Sequence, residues 1–314
     1  MPAFVAFALV LGLALGCWTP PRDPTGMPRT ATDPQRSEAR RLLTLSLEDY
    51  IENTIRVQRI SDALRVAGVE LCGKKTAPVL GVAVIGVGRL PSVLQLLAAE
   101  HLGGRDNLRV VAVFDGFPAS SAGVQLGDEL LVLNGTRLKD MARLARVRHR
   151  SDGRDVELRI RRGEVRQTLP IRSLPGCRFP ASVRLTQHRN AFTDAREIWI
   201  SSGLIRHFDD SRLAYVIGHE MGHSILRRVR NHFDSGPKVE VEADYIGAYL
   251  SARAGFELID TDLFERLQRD LNSLDQARGR SHPATHERTI ALRKTVAEIR
   301  AKVARGESLV PEIR

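Results

Sequence analysis

His219 and His223 fix a local structure in the second half of this chain, in the segment His219-Glu220-Met221-Gly222-His223. Four residues of α-helix make about one turn, so on a helix both imidazoles project from the same side. Glu220 lies between them and can reach a metal-bound water molecule without coordinating the ion itself. The segment therefore predicts a helix that holds a divalent metal ion.

A second acidic segment follows, Glu240-Val241-Glu242-Ala243-Asp244. Zinc in a catalytic site takes three ligands from the protein and one from water, so a third protein ligand is needed. On a helix, Glu240 and Asp244 share one face, whereas Glu242 points nearly the opposite way. The spacing alone leaves two candidates: Glu240 with Asp244 in support, or Glu242.

The length of 314 residues allows two domains of ordinary size, and the hydrophobic pattern changes along the chain. Apolar residues recur at helical spacing after about residue 37, whereas short β-rich runs alternate with glycine-containing turns between 77 and 174. The fold class expected is α+β. The divisions expected are 1–17 (apolar N-terminal segment), 18–36 (flexible linker), 37–76 (N-terminal helical part), 77–175 (β-rich insert) and 176–314 (the part with the predicted metal ligands).

Residues 117–135 have the pattern P-A-x-x-A-G-h-x-x-G-D-x-h-h-x-h-N-G, where h is apolar, and it resembles the PDZ domains of bacterial envelope proteases. Pro118 starts a short helix, Gly123 permits its left-handed exit, and Asn134-Gly135 turns the chain back. Such domains hold an extended peptide against a strand and a helix and grip a free carboxylate in a backbone nest. We expect a peptide ligand, with the carboxylate loop around Leu102-Gly103-Gly104.

Residues 219–247, with HExxH and the later ExxAD, resemble the HtpX- and BepA-like zinc metallopeptidases, gluzincins of metallopeptidase family forty-eight. The resemblance implies one Zn²⁺ per chain as cofactor. It makes His219, His223 and Glu240 the metal ligands and Glu220 the general base. It also implies that Asp244 supports a histidine ligand.

Two further segments extend the likeness. Asn190-Ala191-Phe192 resembles the family's NAF strand, beside which extended substrate lies, so these three residues are candidates for substrate binding. Residues 281–288 resemble its S-HPxxxxR segment, which places His282 and Arg288 near the active site. His282 is a candidate catalytic residue that stabilises the transition state or binds the metal as a reversible extra ligand, or else it is a solvated or capping histidine. Arg288 is interpreted as structural.

Residues 3–16 form an uncharged apolar run that is short for a membrane span and stands where the core of a signal peptide belongs. The run ends at Cys17 in a sequence that resembles a lipobox, so the alternatives are a lipid anchor at Cys17, simple cleavage or a retained anchor. Cys72 and Cys177 remain as the other cysteines. They form a disulfide in an oxidising compartment, or they are two buried thiols.

The net charge of +10 is spread along the chain, aromatic residues make up only 5%, and no nucleic-acid-binding motif is present. No nucleic-acid partner is therefore expected.

The function expected is a zinc-dependent endopeptidase on the periplasmic side of the cell envelope, anchored to the membrane by lipid or by its N-terminal segment. Its partners are protein and peptide substrates, and cleavage of misfolded or specific envelope proteins would make it a protein quality control enzyme. The alternative is a PDZ-bearing adaptor or chaperone with a latent zinc site.

Overall fold

The computed structural model describes residues 32–104, 108–150, 155–230, 236–259, 261, 264 and 286–313. The export segment with Cys17, the linker up to residue 31 and His282 lie outside these residues. In the part of the chain that is described, no helix is both long and apolar enough to cross a membrane.

The described residues contain eight α-helices and eleven β-strands. The helices are α1 (Asp33–Ala67), α2 (Ser92–Leu102), α3 (Pro118–Ser121), α4 (Met141–Arg150), α5 (Ser202–Ile205), α6 (Asp210–Arg230), α7 (Pro237–Arg253) and α8 (His286–Ala304). The strands are β1 (Thr76–Val79), β2 (Val82–Gly86), β3 (Leu108–Val113), β4 (Glu129–Leu133), β5 (Thr136–Arg137), β6 (Asp155–Arg162), β7 (Val165–Arg172), β8 (Leu174–Cys177), β9 (Ala181–Arg184), β10 (Ala191–Thr193) and β11 (Ile198–Ser201). The α+β class and the β-rich insert predicted from the sequence are confirmed.

The first helix, α1, is long because its start is well capped and its apolar positions recur at helical spacing. The Thr32 main-chain N–H donates to Gln35 Oε1 at 2.9 Å, an interaction typical of a capping box. Leu47, Val57 and Ile60 are buried on its inner face. The helix begins at Asp33, a few residues before the pattern becomes evident in the sequence.

The insert is built on a six-stranded sheet in the order β2-β3-β4-β6-β7, with β5 paired to β4. Its own core contains Leu130 and Ile160 from the sheet and Leu144 from α4. The turn between β4 and β5 has positive φ at both Asn134 (47°) and Gly135 (72°), as the Asn-Gly pair predicts. In this sheet β2 and β7 are the two edges.

The two ends of the insert are joined to each other. Strands β1 and β8 pair antiparallel, with Thr76 opposite Cys177. Cys72 and Cys177 form a disulfide with 5.6 Å between their Cα atoms, so the bridge, and not a pair of free thiols, closes the base of the insert. This arrangement ties the insert to the end of α1.

The structure places Leu102–Gly104, where the carboxylate loop is expected, at the end of α2. There Gly103 has a φ of 75° and the Leu102 carbonyl accepts from Arg109. The residues that lead into the edge strand β2 are Leu80 and Gly81.

The remainder of the chain packs around α1 and the three-stranded sheet β10-β11-β9, in which β11 and β9 run parallel. Helix α6 packs against this sheet, against α1 and most extensively against α7, and α8 also packs against α7. Apolar residues of α1, α2, α6, α7 and the small sheet share one continuous core. The two helices that carry the predicted metal ligands are therefore held at the centre of the fold.

Candidate metal centre

Helices α6 and α7 cross with their main chains in near contact. A Cβ added to Gly247 would lie 2.7 Å from the His219 main-chain nitrogen, and one added to Gly222 would lie 3.0 Å from the Ala243 carbonyl oxygen. A side chain at either position would push against the main chain of the other helix, so glycine is favoured there. Gly222 thus makes room for α7. The close crossing brings the histidine-bearing face of α6 against the acidic face of α7.

At this crossing the structure brings together His219, His223 and Glu240. The two imidazole Nε2 atoms are 3.1 Å apart, and Glu240 places one carboxylate oxygen 3.4 Å from His219 and the other 3.3 Å from His223. A tetrahedral zinc ion with ligand bonds of 2.0–2.2 Å needs its ligand atoms about 3.3 Å apart. These three residues therefore fit a zinc ion, whereas Glu242 is not part of the cluster.

Glu220 follows His219 on α6 and is 2% exposed. Its charge acts on His223 and favours the protonated form of that imidazole. A buried carboxylate next to the ligand cluster is chemically suited to accept a proton from water.

A second layer of polar groups surrounds His219. Asp244 Oδ1 lies 2.9 Å from His219 Nδ1 and accepts a hydrogen bond of 2.6 Å from the Tyr215 hydroxyl. Arg288 donates to both carboxylate oxygens of Asp244, at 2.7 and 2.8 Å, and places Nη1 3.2 Å from Glu240. The Arg288 guanidinium thus contacts both the candidate ligand Glu240 and Asp244, the carboxylate that faces His219.

The charges of this cluster depend on one another. Burial raises the pKa of the Asp244 carboxyl, but Arg288 and His219 together more than offset it and the pKa falls to about 2. Burial lowers the pKa of His219, yet the carboxylates of Asp244 and Glu240 outweigh it and raise that pKa to about 9. For His223, burial has a larger effect than the neighbouring carboxylates, and the pKa of this imidazole is lowered. The site therefore stabilises a positive charge at His219, which a proton or a metal ion can supply.

The structure places the predicted substrate-binding residues on and beside β10. Ala191 and Phe192 belong to this edge strand, and Asn190 precedes it, with its main-chain N–H donating to Ser201 Oγ. The Oγ atoms of Thr193 on β10 and Ser224 on α6 are 3.0 Å apart. An edge strand that offers main-chain hydrogen bonds thus runs alongside the metal-binding helix.

Tyr215 was missed by the sequence analysis, and Arg288 was interpreted only as structural. A signal for Tyr215 exists, since it stands four residues before His219 and so shares its helix face. Nothing local marks Arg288 as a contact of Glu240, because the two residues are far apart in the chain.

Two histidines one helical turn apart, a glutamate from the next helix and a buried glutamate beside them fit the zinc site of a gluzincin metallohydrolase. The comparisons with known proteins agree with this class. Residues 172–233 match peptidase family M48, and residues 78–172 match the PDZ domain. In separate segments the chain is therefore similar to peptidase family M48, which is a family of zinc metalloendopeptidases, and to the PDZ domain.

Among solved structures, the chain is similar to the HtrA-type protease AlgW with decapeptide, at 22% identity and a TM-score of 0.27 over 32% of this chain and 30% of AlgW. It is also similar to the HtrA3 PDZ domain bound to a phage-derived ligand, at 22% identity and a TM-score of 0.26 over 32% of this chain and 88% of that domain. The chain therefore spans less than a third of the length of AlgW. No curated protein matches the chain.

Proposed function

We propose that this protein is a zinc-dependent endopeptidase in which His219, His223 and Glu240 bind the ion and Glu220 is the general base. The observation that carries the proposal is the spacing of 3.1–3.4 Å among the ligand atoms of two histidines and one glutamate. When bound, a zinc ion supplies Lewis acidity, which lowers the pKa of a water molecule and polarises a peptide carbonyl.

The chain's own residues then move the proton and hold the ligands in place. Glu220 takes a proton from the attacking water and returns it to the leaving amine. Asp244 orients His219 through its Nδ1 atom, so that Nε2 faces the ion. Arg288 keeps Asp244 ionised and contacts Glu240, and the Tyr215 hydroxyl supplies a further donor to Asp244.

The substrate proposed is an extended polypeptide that pairs with the edge strand β10. Main-chain hydrogen bonds to Ala191 and Thr193 hold a peptide without reading its sequence, which suits misfolded or varied proteins. The contact between Thr193 and Ser224 fixes the strand beside the metal-binding helix.

The protein is proposed to act outside the cytoplasm, on the periplasmic side of the cell envelope. The disulfide and the apolar N-terminal run support this location, because structural disulfides persist in oxidising compartments. Cell fractionation, followed by non-reducing mass mapping of the Cys72 and Cys177 peptides, tests it. Lipid attachment at Cys17 belongs to the same proposal, and loss of lipid labelling in Cys17→Ala tests it.

The variant Glu220→Gln tests the reaction. We expect cleavage of casein to fall by at least about 100-fold, the low end of what a general base contributes, because the amide cannot accept the proton. The zinc content should stay at the wild-type value, since Glu220 is not a ligand. The measurements are peptide release from casein and metal analysis of the purified protein.

The matched control is Glu242→Gln, the same change at a glutamate of α7 outside the ligand cluster. It should keep both activity and zinc. A chelator should abolish cleavage by the wild type. If casein is cleaved equally by wild type and Glu220→Gln, the assignment of the base is wrong; if neither cleaves although both bind zinc, the adaptor with a latent site becomes the better reading.

A further inference from the structure

The edge strand β2 of the PDZ sheet already has a partner from outside the sheet. The Val84 N–H donates to Gln58 Oε1, and the Val84 carbonyl accepts from Gln58 Nε2, both at 3.2 Å. Gln58 belongs to α1. In an antiparallel ladder, a residue exchanges both main-chain hydrogen bonds with one opposing residue. The side-chain amide of Gln58 reproduces this exchange, so it stands where a residue of an added strand would pair.

One turn further along the same helix, Asp62 contacts the turn that leads into β2. The Gly81 main-chain N–H faces the Asp62 carboxylate and favours its ionised form, and Arg65 donates to that carboxylate at 2.8 Å. Between Gln58, which contacts Val84, and Asp62, which faces Gly81, α1 runs antiparallel to β2. A peptide added antiparallel to β2 would bring its C-terminal end to the same point, and such ends are captured by main-chain N–H groups.

The surroundings of Asp62 are basic and suit a carboxylate. Arg148 of α4 and Arg65 of α1 both favour its ionised form, although burial raises its pKa overall. Arg148 Nε is buried and has no hydrogen-bond partner among the described residues. A cavity between α1 and α4 is lined by Gln58, Asp62, Arg65, Met141, Leu144 and Arg148. A second cavity, lined by Val84, Gln58 and Met141, adjoins β2, so the space between β2 and α4 has both the shape and the charge for a ligand.

We propose that α1 is an internal ligand of the PDZ groove. Gln58 and Asp62 occupy the places of the main chain and the terminal carboxylate of an extended peptide. A peptide with a free C-terminal carboxylate binds by displacing these two side chains. Its apparent affinity is reduced because only those molecules in which α1 has left the groove can bind it. This inference concerns binding alone and stands whether or not the zinc site cleaves.

The test uses the full chain and a pool of decapeptides with four randomised C-terminal residues, captured on the immobilised protein and quantified by mass spectrometry. Gln58→Ala removes both hydrogen bonds to Val84, and Asp62→Asn removes the competing charge. We expect each variant to capture about ten-fold more peptide than the wild type, because each lost contact shifts the competition towards the external ligand. The same pool with amidated C-termini should show no gain.

Glu52→Gln, an exposed change on the same helix, is the matched control and should behave as the wild type. Circular dichroism and an intact disulfide check that each variant is folded. Hydrogen exchange gives a second measurement: the segment with Val84 should exchange faster in Gln58→Ala and slow again when the peptide pool is added. Equal capture by wild type and both folded variants, or equal capture of the carboxylate and amide pools, would overturn the proposal.

Discussion

Asp244 is the residue on which the polar part of the metal centre converges. It lies 2.9 Å from His219 Nδ1, and it accepts hydrogen bonds from Tyr215 and Arg288. A carboxylate against the second nitrogen of a ligating imidazole fixes the tautomer and orientation of the ring. The ion pair with Arg288 keeps Asp244 ionised in a buried setting, where an isolated carboxylate would take up a proton.

We therefore predict that Asp244→Asn lowers the zinc affinity by about 10- to 100-fold, since the amide cannot hold His219 with a full negative charge. Competition with a chromophoric chelator measures the affinity. Glu242→Gln on the same helix should leave it unchanged. An Asp244→Asn protein that binds zinc as tightly as the wild type would show that Asp244 only balances the charge of Arg288.

At the scale of secondary-structure elements, the site depends on how closely α6 and α7 approach. His219 and His223 come from one helix and Glu240 from the other, so the distance between the helices sets the distance between the ligands. Gly218 and Gly247 remove the side chains that would separate them, and the nearest atoms to their added Cβ positions are main-chain atoms. Main-chain atoms inside helices cannot rotate away as a flexible side chain can.

Gly247→Ala tests this dependence. We predict a loss of about 1–3 kcal/mol in the free energy of unfolding, because a methyl group must be fitted 2.7 Å from the His219 nitrogen. Zinc affinity should fall as well, since the helices can accommodate the methyl group only by moving apart. Urea denaturation and chelator competition are the two measurements.

Gly88→Ala is the control for this prediction. An added Cβ at Gly88 meets no atom within 4 Å, so stability and zinc affinity should both be retained. Wild-type stability in Gly247→Ala would contradict the claim that close packing of the two helices holds the site together.

Across the whole molecule, α1 connects the PDZ sheet to the metal-binding half. Gln58 contacts β2, while Arg56 forms an ion pair with Asp210 at the start of α6 and also donates to main-chain carbonyls just before it. The disulfide between Cys72 and Cys177 closes the base of the insert just beyond α1. The insert is therefore anchored to the peptidase by a covalent bond and by one shared helix.

The bridge spans 105 residues, so it removes much of the freedom of the unfolded chain. We predict that replacing Cys72 and Cys177 by alanine lowers the free energy of unfolding by about 2–4 kcal/mol. Denaturation in urea measures the change. A reducing agent should destabilise the wild type by a similar amount and have no further effect on the double variant; if the wild type is insensitive to complete reduction, the bridge does not stabilise the fold.

The sequence by itself determined the features whose physics is local. Four residues make one helical turn wherever a helix forms, so the spacing of His219 and His223 was enough to place both imidazoles on one face. The Asn134-Gly135 turn follows in the same way from the positive φ that these residues tolerate. The β-rich insert and the family likeness were recognisable for this reason.

The tertiary structure decided which distant groups meet. It brings Glu240, and not Glu242, to the histidines, and it adds Arg288, which lies 44 residues from Asp244 in the chain. It also places Gln58 against the PDZ edge, which no local pattern indicates. Such contacts depend on how whole helices pack, and the packing is set by the burial of many side chains together. It therefore cannot be predicted from the spacing or the type of a single residue.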